Sequence, residues 1–440
     1  MKRRFRSFGT STFRSLKVRN YRLYFVAQVI SVSGTWMQTV AQAWLVLHLA
    51  PPGEQGVDLG VVTALQFLPM LLFGTYGGLV ADRLDKRRLL YATQSSAGML
   101  ALALGLLTSL GVVRLWEVFA LATLLGFVNM IDNPARQTFV LEMVGRDDLP
   151  NAVSLNSVVM NSARVIGPAI GGLIIALVGL APCFEINAAS YAAVIVGLSL
   201  MRRTDLHRSE PVPRARGQLR QGLRYAWRTP ALRDPLLLVA VVGTLAYNFQ
   251  VLLALLAKLT FHGGAGTYSA LTSLMGGGAV LGGLVVAGRN RPDTHRLTSI
   301  GMGFGALILG VALSPSLPVA LAVIFPMGAL SIAFIATANA ALQLRADPAM
   351  RGRVMALYAI GFLGTTPIGS PLVGWISQVS SPRVALAVGA VATVVASVVV
   401  RVVHQRGHAG RLQPPAAVQT AVGVDEIRHR GHAVVRAPLT

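Results

Sequence analysis

Long apolar blocks, separated by short charged or turn-forming breaks, dominate the chain. Residues 59–81, for example, run for 23 positions without a charge. About 20 apolar residues at a rise of 1.5 Å cross a hydrocarbon layer of about 30 Å. The blocks predict membrane-spanning helices near 22–49, 59–81, 89–110, 115–133, 152–178 and 181–201, and again near 235–257, 268–288, 296–314, 317–339, 354–378 and 384–403. The pattern therefore predicts twelve spans in two groups of six.

The distribution of basic residues supports this number of spans. With twelve spans, 35 of the 39 lysines and arginines fall on one set of alternating segments. The opposite side holds Arg114, Lys258 and Arg383, and Arg164 falls inside the fifth span. Because loops rich in Lys and Arg remain in the cytoplasm, the asymmetry predicts a multi-pass inner or plasma membrane protein with both termini cytoplasmic. The formal charge of +22 then orients the chain and contacts anionic lipid, and we expect no nucleic-acid partner.

A basic linker divides the chain into two halves. We predict a basic N-terminal segment at 1–20, a six-helix bundle at 21–201, a linker at 202–234, a second bundle at 235–403 and a disordered cytoplasmic tail at 404–440. The linker carries nine arginines, and its residues 219–227 predict a short amphipathic helix at the membrane surface. The fold class is therefore all-α, with twelve transmembrane helices arranged as six plus six.

Few residues offer enzyme or metal chemistry. Cys183 is the only cysteine, and the eight histidines show no ligand spacing. The chain contains no phosphate-binding loop of the P-loop type, so it has no ATP site of that kind. We therefore expect no enzyme activity, no bound metal and no cofactor.

The loop after the second span carries the first specific motif. Its members are Gly78, Asp82, Arg83, Lys86 and Arg87. The motif resembles the loop signature of the major facilitator superfamily, with Asp85 in place of one glycine. The resemblance implies that Asp82 binds a helix end of the second half, where backbone N–H groups and the helix dipole favour a carboxylate. Such a latch would hold the cytoplasmic side shut in one state; the alternative is a loop that only orients the chain.

A second motif lies in the fifth span, at Gly167, Pro168, Gly171 and Gly172. It resembles a signature of exporters within the same superfamily. Gly167 and Gly171 predict a face for close helix packing, and Pro168 frees the carbonyl of Arg164. An unpaired Arg near the midplane of the membrane costs about 2.5–3.5 kcal/mol. We therefore expect the side chain of Arg164 to bind hydrogen-bond acceptors, and the candidates are Asp132, Asn129 and Asn133. Arg164 is either a structural clamp between the fourth and fifth spans or part of coupling or substrate binding.

Polar residues on the first span recur at intervals of three and four, at Gln28, Ser31, Thr35, Gln38 and Gln42. This spacing puts all five on one helix face. Polar side chains facing lipid are unfavourable, so the stripe lines a cavity or bonds to a neighbouring helix. In the superfamily's fold, spans 1, 4, 7 and 10 line the central cavity. The resemblance adds these cavity residues: Asn129, Asp132, Asn133, Thr244, Tyr247, Asn248, Ser331 and Thr337.

The wider chain resembles the enterobactin-exporter and macrolide-efflux branch of the superfamily, through the runs 133–137, 186–191 and 351–358. The resemblance implies a functional monomer that exports a siderophore, macrolide or similar amphiphile by alternating access, driven by proton antiport. Its partners would be the small-molecule substrate, protons and membrane lipid. Asp132 with Arg164 is the candidate for coupling, and Glu185 is the second candidate. The alternatives are an importer or uniporter of the same fold, the membrane part of an ATP-driven exporter, and a membrane sensor.

Overall fold

The structure, a computed structural model, describes residues 13–207, 218–287, 293–348 and 350–412. The described residues form helices joined by short turns. Ten segments among them are long and apolar enough to cross a membrane. One of these, Leu115–Val178, is broken at Gly145, where φ is 72°. The more polar helix Arg19–Leu49, with 31 residues, is long enough to cross as well. All twelve predicted spans are therefore present.

The first half contains spans 1 to 6. They are Arg19–Leu49, Gln55–Arg83, Lys86–Ser109, 115–144, 146–178 and Ala181–Ser199. Span 4 continues eleven residues beyond its predicted end at 133, up to the break at Gly145. A positive φ is easily adopted by glycine and rarely by other residues, so the helix ends there rather than at the first charged residue. The predicted loop after residue 133 is therefore wrong.

The second half begins after a surface helix, Gln218–Arg228, which confirms the amphipathic helix predicted in the linker. Spans 7 to 12 are Pro230–Thr260, Ala265–Ala287, Thr294–Ala312, Leu317–Arg345, Arg351–Val379 and Pro382–Leu412. Span 7 starts inside the predicted linker, and span 12 extends past its predicted end at 403. The predicted disorder of 413–440, the linker segment 208–217 and residues 1–12 lie outside the described residues.

The two halves pack their helices in the same way. Span 2 packs against span 4 and span 3 against span 6; in the second half, span 8 packs against span 10 and span 9 against span 12. Small residues allow this approach: Gly77 lies against the backbone of Met130, and Gly278 lies against the backbone of Phe325. Close backbone packing of this kind holds helices together in lipid, where no hydrophobic force drives association. The packing thus repeats between the halves.

Two crossed helix pairs join the halves, span 2 with span 11 and span 5 with span 8. We call the end where span 1 begins the basic end, and the end where span 1 finishes the distal end. At the distal end, Gly56 lies against the backbone of Gly374, and Gly60 lies against the backbone of Ser370. The first turns of span 2 therefore contact the last turns of span 11, backbone against backbone.

Toward the basic end the two halves separate. Near the middle of the bundle, the Ser273 hydroxyl of span 8 donates to the Val165 carbonyl of span 5 at 3.0 Å. Seven residues nearer the basic end, Val158 shares the face of span 5 that carries Val165, yet it is 58% exposed. On span 8, Leu284 lies eleven residues nearer the basic end than Ser273, on the same helix face, and is 68% exposed. Spans 5 and 8 therefore contact each other from the middle of the bundle to the distal end, and the same faces are exposed toward the basic end.

Candidate functional site

A buried ion pair occupies the interior of span 4. Asp132 is 1% exposed, and its Oδ1 accepts from Thr93 Oγ1 at 2.7 Å and from Gln94 Nε2 at 2.8 Å. Its other oxygen pairs with the guanidinium of Arg136. The second terminal nitrogen of Arg136 donates to Gln28 Oε1 of span 1 at 3.1 Å. The carboxylate therefore has hydrogen-bond donors on two helices, and Arg136 connects it to a third.

The predicted pairing of Asp132 with Arg164 is not formed. Arg136 reaches Gln28, whereas the guanidinium of Arg164 lies over the ring of Trp36. Gln28 and Trp36 are eight residues apart on span 1, which is about 12 Å along the helix axis. Arg164 therefore lies well nearer the distal end than Asp132. Arg136, one turn away on the same helix, is the nearer partner, and the spacing of four residues was the sequence signal for it.

The polar stripe of span 1 bonds mainly to neighbouring helices. Gln28, Ser31, Gln38 and Gln42 are buried, and Thr35 is exposed. The partners are Arg136 of span 4 for Gln28, Asn187 of span 6 for Gln38, and Gln66 of span 2 for Gln42. The Thr35 hydroxyl donates to the Ser31 carbonyl of its own helix. Of the two alternatives for this face, helix–helix hydrogen bonding therefore accounts for most of it in this conformation.

Arg164 lies between the two halves near the middle of span 5. Its guanidinium carbon is 5.1 Å from the centroid of the Trp36 ring, within the range of a cation–π interaction. Its Nε is buried and has no hydrogen-bond partner among the described residues. Across the interface, Tyr247 of span 7 interacts electrostatically with Arg164, and its ring packs against that of Phe362 of span 11 at 4.8 Å between centroids. A cationic group is therefore flanked by one aromatic residue from each half.

Spans 7 and 11 are both interrupted next to this cluster; in span 11 the helix Arg351–Phe362 ends before the helix Thr366–Val379 begins. In span 7 the helix Pro230–Leu245 ends and the helix Phe249–Leu255 begins beyond Asn248. Asn248 Nδ2 donates to the Thr244 carbonyl at 2.7 Å, and its Oδ1 accepts from Ser370 Oγ of span 11 at 2.8 Å. Irregular backbone at membrane depth is tolerated where such groups satisfy it. Asn248 therefore joins two interrupted helices, and the predicted role as an open cavity wall does not fit its buried position.

The remaining predicted cavity residues lie on spans 4 and 10. Asn129 and Asn133 are half-buried beside Asp132, whereas Thr337 is buried. Glu185, the second coupling candidate, lies near the start of span 6, where its Cγ packs against Gly105 of span 3. The structure thus brings Tyr247 close to Arg164 and leaves Glu185 in a separate helix contact.

The glycine motif of span 5 faces two helices. Gly167 lies against the backbone of Ser33 and Gly171 against Met37, both on span 1. Gly172 faces the other half and lies against Ser269 of span 8. Pro168, one residue after Gly167, is buried, and the carbonyl that it frees on Arg164 lies against Gly276 of span 8. The motif therefore packs span 5 against span 1 of the first half and against span 8 of the second half.

Comparison with known proteins agrees with this architecture. Residues 10–434 match the family model described as transmembrane secretion effector. The chain belongs to this family of major facilitator transporters. It is 26% identical over 365 residues to the multidrug efflux pump Tap of Mycolicibacterium fortuitum, which covers 80% of this chain and 88% of Tap. It is 25% identical over 373 residues to the enterobactin exporter EntS of Citrobacter koseri, covering 82% and 86%.

Two further similarities concern only part of the chain or only its fold. The staphyloferrin A transporter of Staphylococcus aureus is 31% identical over 181 residues, but this match spans only 41% of the present chain and 45% of that transporter. Among solved structures, the nucleoside transporter NupG superposes with a TM-score of 0.67 at 14% sequence identity, over 89% of this chain and 99% of NupG. The latter similarity concerns the fold alone.

In this transporter the predicted latch begins on span 2. Gly78 and Asp82 lie on the face of span 2 that carries Gly60, because eighteen residues make five helical turns. Gly60 contacts the second half at the distal end. Asp85, which replaces a glycine of the superfamily signature, accepts from the Arg88 backbone N–H at 2.9 Å and caps span 3. Its φ of −58° requires no glycine, so this departure from the signature is accommodated.

Two of the basic latch candidates bind inside the first half. Lys86 Nζ forms a buried ion pair with Glu142 Oε1 of span 4 at 2.7 Å. Arg87 Nη2 donates to the Leu198 carbonyl at the end of span 6 at 2.6 Å, a position where the helix dipole favours a cation. Arg83 is exposed. Lys86 and Arg87 therefore hold the basic end of the first bundle together.

Removal of one partner from the Lys86–Glu142 pair should destabilise the transporter. We expect Lys86→Met to lower the free energy of unfolding by up to about 3–5 kcal/mol, because the buried carboxylate of Glu142 then loses the charge of Lys86. The measurement is thermal unfolding of the purified protein in detergent, followed by tryptophan fluorescence. The double variant Lys86→Met/Glu142→Gln, which removes both charges, should recover most of the loss. Equal melting temperatures for Lys86→Met and wild type would contradict the role of the pair.

Proposed function

We propose that the chain is a secondary active exporter of siderophores, macrolides or similar small amphiphiles, coupled to proton entry. In this proposal the basic end and both termini face the cytoplasm. Substrate enters between the halves from the basic end and leaves when the distal end opens. The basic residues at that end favour this orientation, because cytoplasmic loops are rich in Lys and Arg.

The observation that carries the proposal is the interface between the halves. Its distal contacts are backbone against backbone, as between Gly56 and Gly374, whereas Val158 and Leu284 are exposed toward the basic end. A transporter built from two similar bundles changes access by rocking one against the other around a fixed central site. Arg164 lies where the closed and open parts of the interface meet. Tap is named as a multidrug efflux pump and EntS as an enterobactin exporter, which favours export.

Proton coupling would act through Asp132 and Arg136. A proton on Asp132 neutralises the carboxylate and weakens its ion pair with Arg136. Arg136 also binds Gln28 of span 1, so a change in the pair reaches the helix that carries Trp36. Glu185 remains the second candidate for the proton acceptor. Whether Asp132 or Glu185 accepts the proton, the coupling group is a carboxylate of the first half.

The test is accumulation of a panel of siderophores and macrolides in efflux-deficient cells that express the protein, with and without a protonophore. One elementary charge moved across 100 mV provides about 2.3 kcal/mol, enough to maintain a roughly 50-fold concentration difference. We therefore expect several-fold lower accumulation of at least one compound, and we expect the protonophore to abolish this difference. Vector-only cells and the Gly374→Val variant are the controls.

Three other results would change or exclude parts of the proposal. Higher accumulation in expressing cells would indicate an importer of the same fold. Lower accumulation that the protonophore leaves unchanged would remove proton coupling while leaving export in place. No change for any compound, with expression verified, would exclude the proposed substrate classes.

A further inference from the structure

The charge of Arg164 has no acidic partner among the described residues. Its contacts are the face of Trp36 at 5.1 Å and the electrostatic interaction with Tyr247, and its Nε is a buried donor without an acceptor. The acid expected to pair with it, Asp132, binds Arg136 instead. A guanidinium inside a membrane is costly unless an acceptor or an anion meets it. Among the described residues, no acidic side chain therefore balances the positive charge of Arg164.

The donor geometry of Arg164 limits what can complete the site. A guanidinium presents its N–H donors in a planar fork that matches a carboxylate, phosphate or sulfonate with two parallel hydrogen bonds. The guanidinium carbon lies over the ring of Trp36, so an approaching group must meet the donors from another side. A neutral hydroxyl or amide would satisfy fewer donors and leave the charge uncompensated. An anion is therefore the group that this arrangement favours.

The surroundings also indicate the body of the ligand. On the other half, the ring of Tyr247 lies 4.8 Å from the ring of Phe362 and 5.3 Å from that of Phe249, measured between centroids. Trp36, Tyr247 and Phe362 are half-buried and provide aromatic surface on both halves, whereas Phe249 is buried behind Tyr247. Aromatic and apolar groups pack on such surface in edge-to-face or offset arrangements. A molecule that touches both halves would thus combine an anionic group with an aromatic or apolar body.

We infer that the exported substrate is an amphiphilic organic anion whose carboxylate, phosphate or sulfonate is held by Arg164 between Trp36 and the aromatic residues around Tyr247. The inference rests on the proposed export function and names its substrate class. It places the anion on the first half and the aromatic body against the second half. Binding of such a ligand would therefore connect the halves at the point where the interface changes from closed to open.

Binding of 2-naphthoate to the purified protein tests this inference, with the neutral 2-naphthamide as the matched ligand. Both are followed by ligand-dependent thermal stabilisation in detergent. We expect tighter binding of 2-naphthoate to wild type, and an apparent Kd at least about tenfold higher in Arg164→Gln. Arg164→Lys keeps the positive charge without the planar fork, so it should lose less affinity for 2-naphthoate. It also serves as a control for a folding defect caused by removal of the charge. Binding of 2-naphthamide should be the same in all variants.

Arg296→Gln is the control for a general loss of positive charge, because Arg296 borders an apolar groove between spans 8, 9 and 10 on the second half. It should bind 2-naphthoate as wild type does. Equal affinity of wild type for both ligands, binding of neither, or equal losses in Arg164→Gln and Arg296→Gln would overturn the inference. Export assays separate the two proposals. Driven export that is unchanged in Arg164→Gln leaves the exporter and removes the anion site, whereas Arg164-dependent binding without any export removes the exporter alone.

Discussion

Replacement of Gly374 by valine is expected to hold the distal end of the transporter open and to reduce export at least about tenfold. A side chain at this position would meet the backbone of Gly56, with the new Cβ placed 2.9 Å from the Gly56 carbonyl carbon. Backbone cannot move aside as a flexible side chain can, so the closed state should lose about 3 kcal/mol, the upper range for overpacking. The open state separates these two residues and avoids the clash. The equilibrium between the two states should therefore shift by roughly 100-fold.

A single cysteine reports this shift. Cys183 is buried and is the only cysteine of the chain, so Cys183→Ser provides a background for Ser269→Cys. Ser269 is buried at the distal contact of span 8 with Gly172 of span 5. We expect slow maleimide labelling of this cysteine in the otherwise wild-type protein and fast labelling with Gly374→Val. The measurement is made on purified protein in detergent, so it does not depend on orientation in a membrane.

Gly352→Val is the matched control for this variant. Gly352 lies on the same span, and a Cβ added there would meet nothing within 4 Å. It should neither accelerate labelling nor reduce export. If Gly374→Val labels as slowly as Gly352→Val and exports normally, the contact between spans 2 and 11 does not close the distal end.

The spans themselves were predictable because membrane thickness imposes a length and loop charge imposes a direction. The end of span 4 was not, since a helix need not stop at a charged residue when a neighbour satisfies that residue. The predicted span 115–133 places Arg136 in a loop, although Asp132 lies one turn before it. The spacing of four residues between Asp132 and Arg136 indicates an ion pair within one helix. A prediction of spans from apolar segments alone does not detect such pairs.

The polar stripe of span 1 shows a different limit. Its period of three and four identifies a single face, and burial of that face follows from the cost of polar groups in lipid. The period cannot specify which helix meets each residue. Asn187 binds Gln38 across 149 positions of sequence, and Ser370 binds Asn248 across 122. Such pairs depend on how the bundle packs, which local sequence does not encode.

Neutralisation of Asp132 is the second change with a large expected effect. Asparagine has the shape of the protonated side chain, so Asp132→Asn should mimic the protonated state permanently. Proton binding can then no longer drive the cycle at this site. We expect uphill export driven by an imposed pH gradient in proteoliposomes to fall at least about tenfold, while exchange of substrate down its own gradient continues. Loss of gradient-driven export with continued substrate exchange indicates lost coupling, whereas loss of both indicates lost substrate binding.

Asp132→Asn alone leaves the guanidinium of Arg136 without its counter-charge, and breaking a buried pair costs about 3–5 kcal/mol of stability. The double variant Asp132→Asn/Arg136→Gln removes both charges and should fold better while remaining uncoupled. Glu185→Gln, on span 6 against Gly105, is the comparison for the second candidate. Uncoupling by Glu185→Gln with normal coupling in the double variant would transfer the proton site to Glu185. Normal gradient-driven export in both would show that neither carboxylate carries the coupling proton, because each variant lacks a group that can titrate at its position.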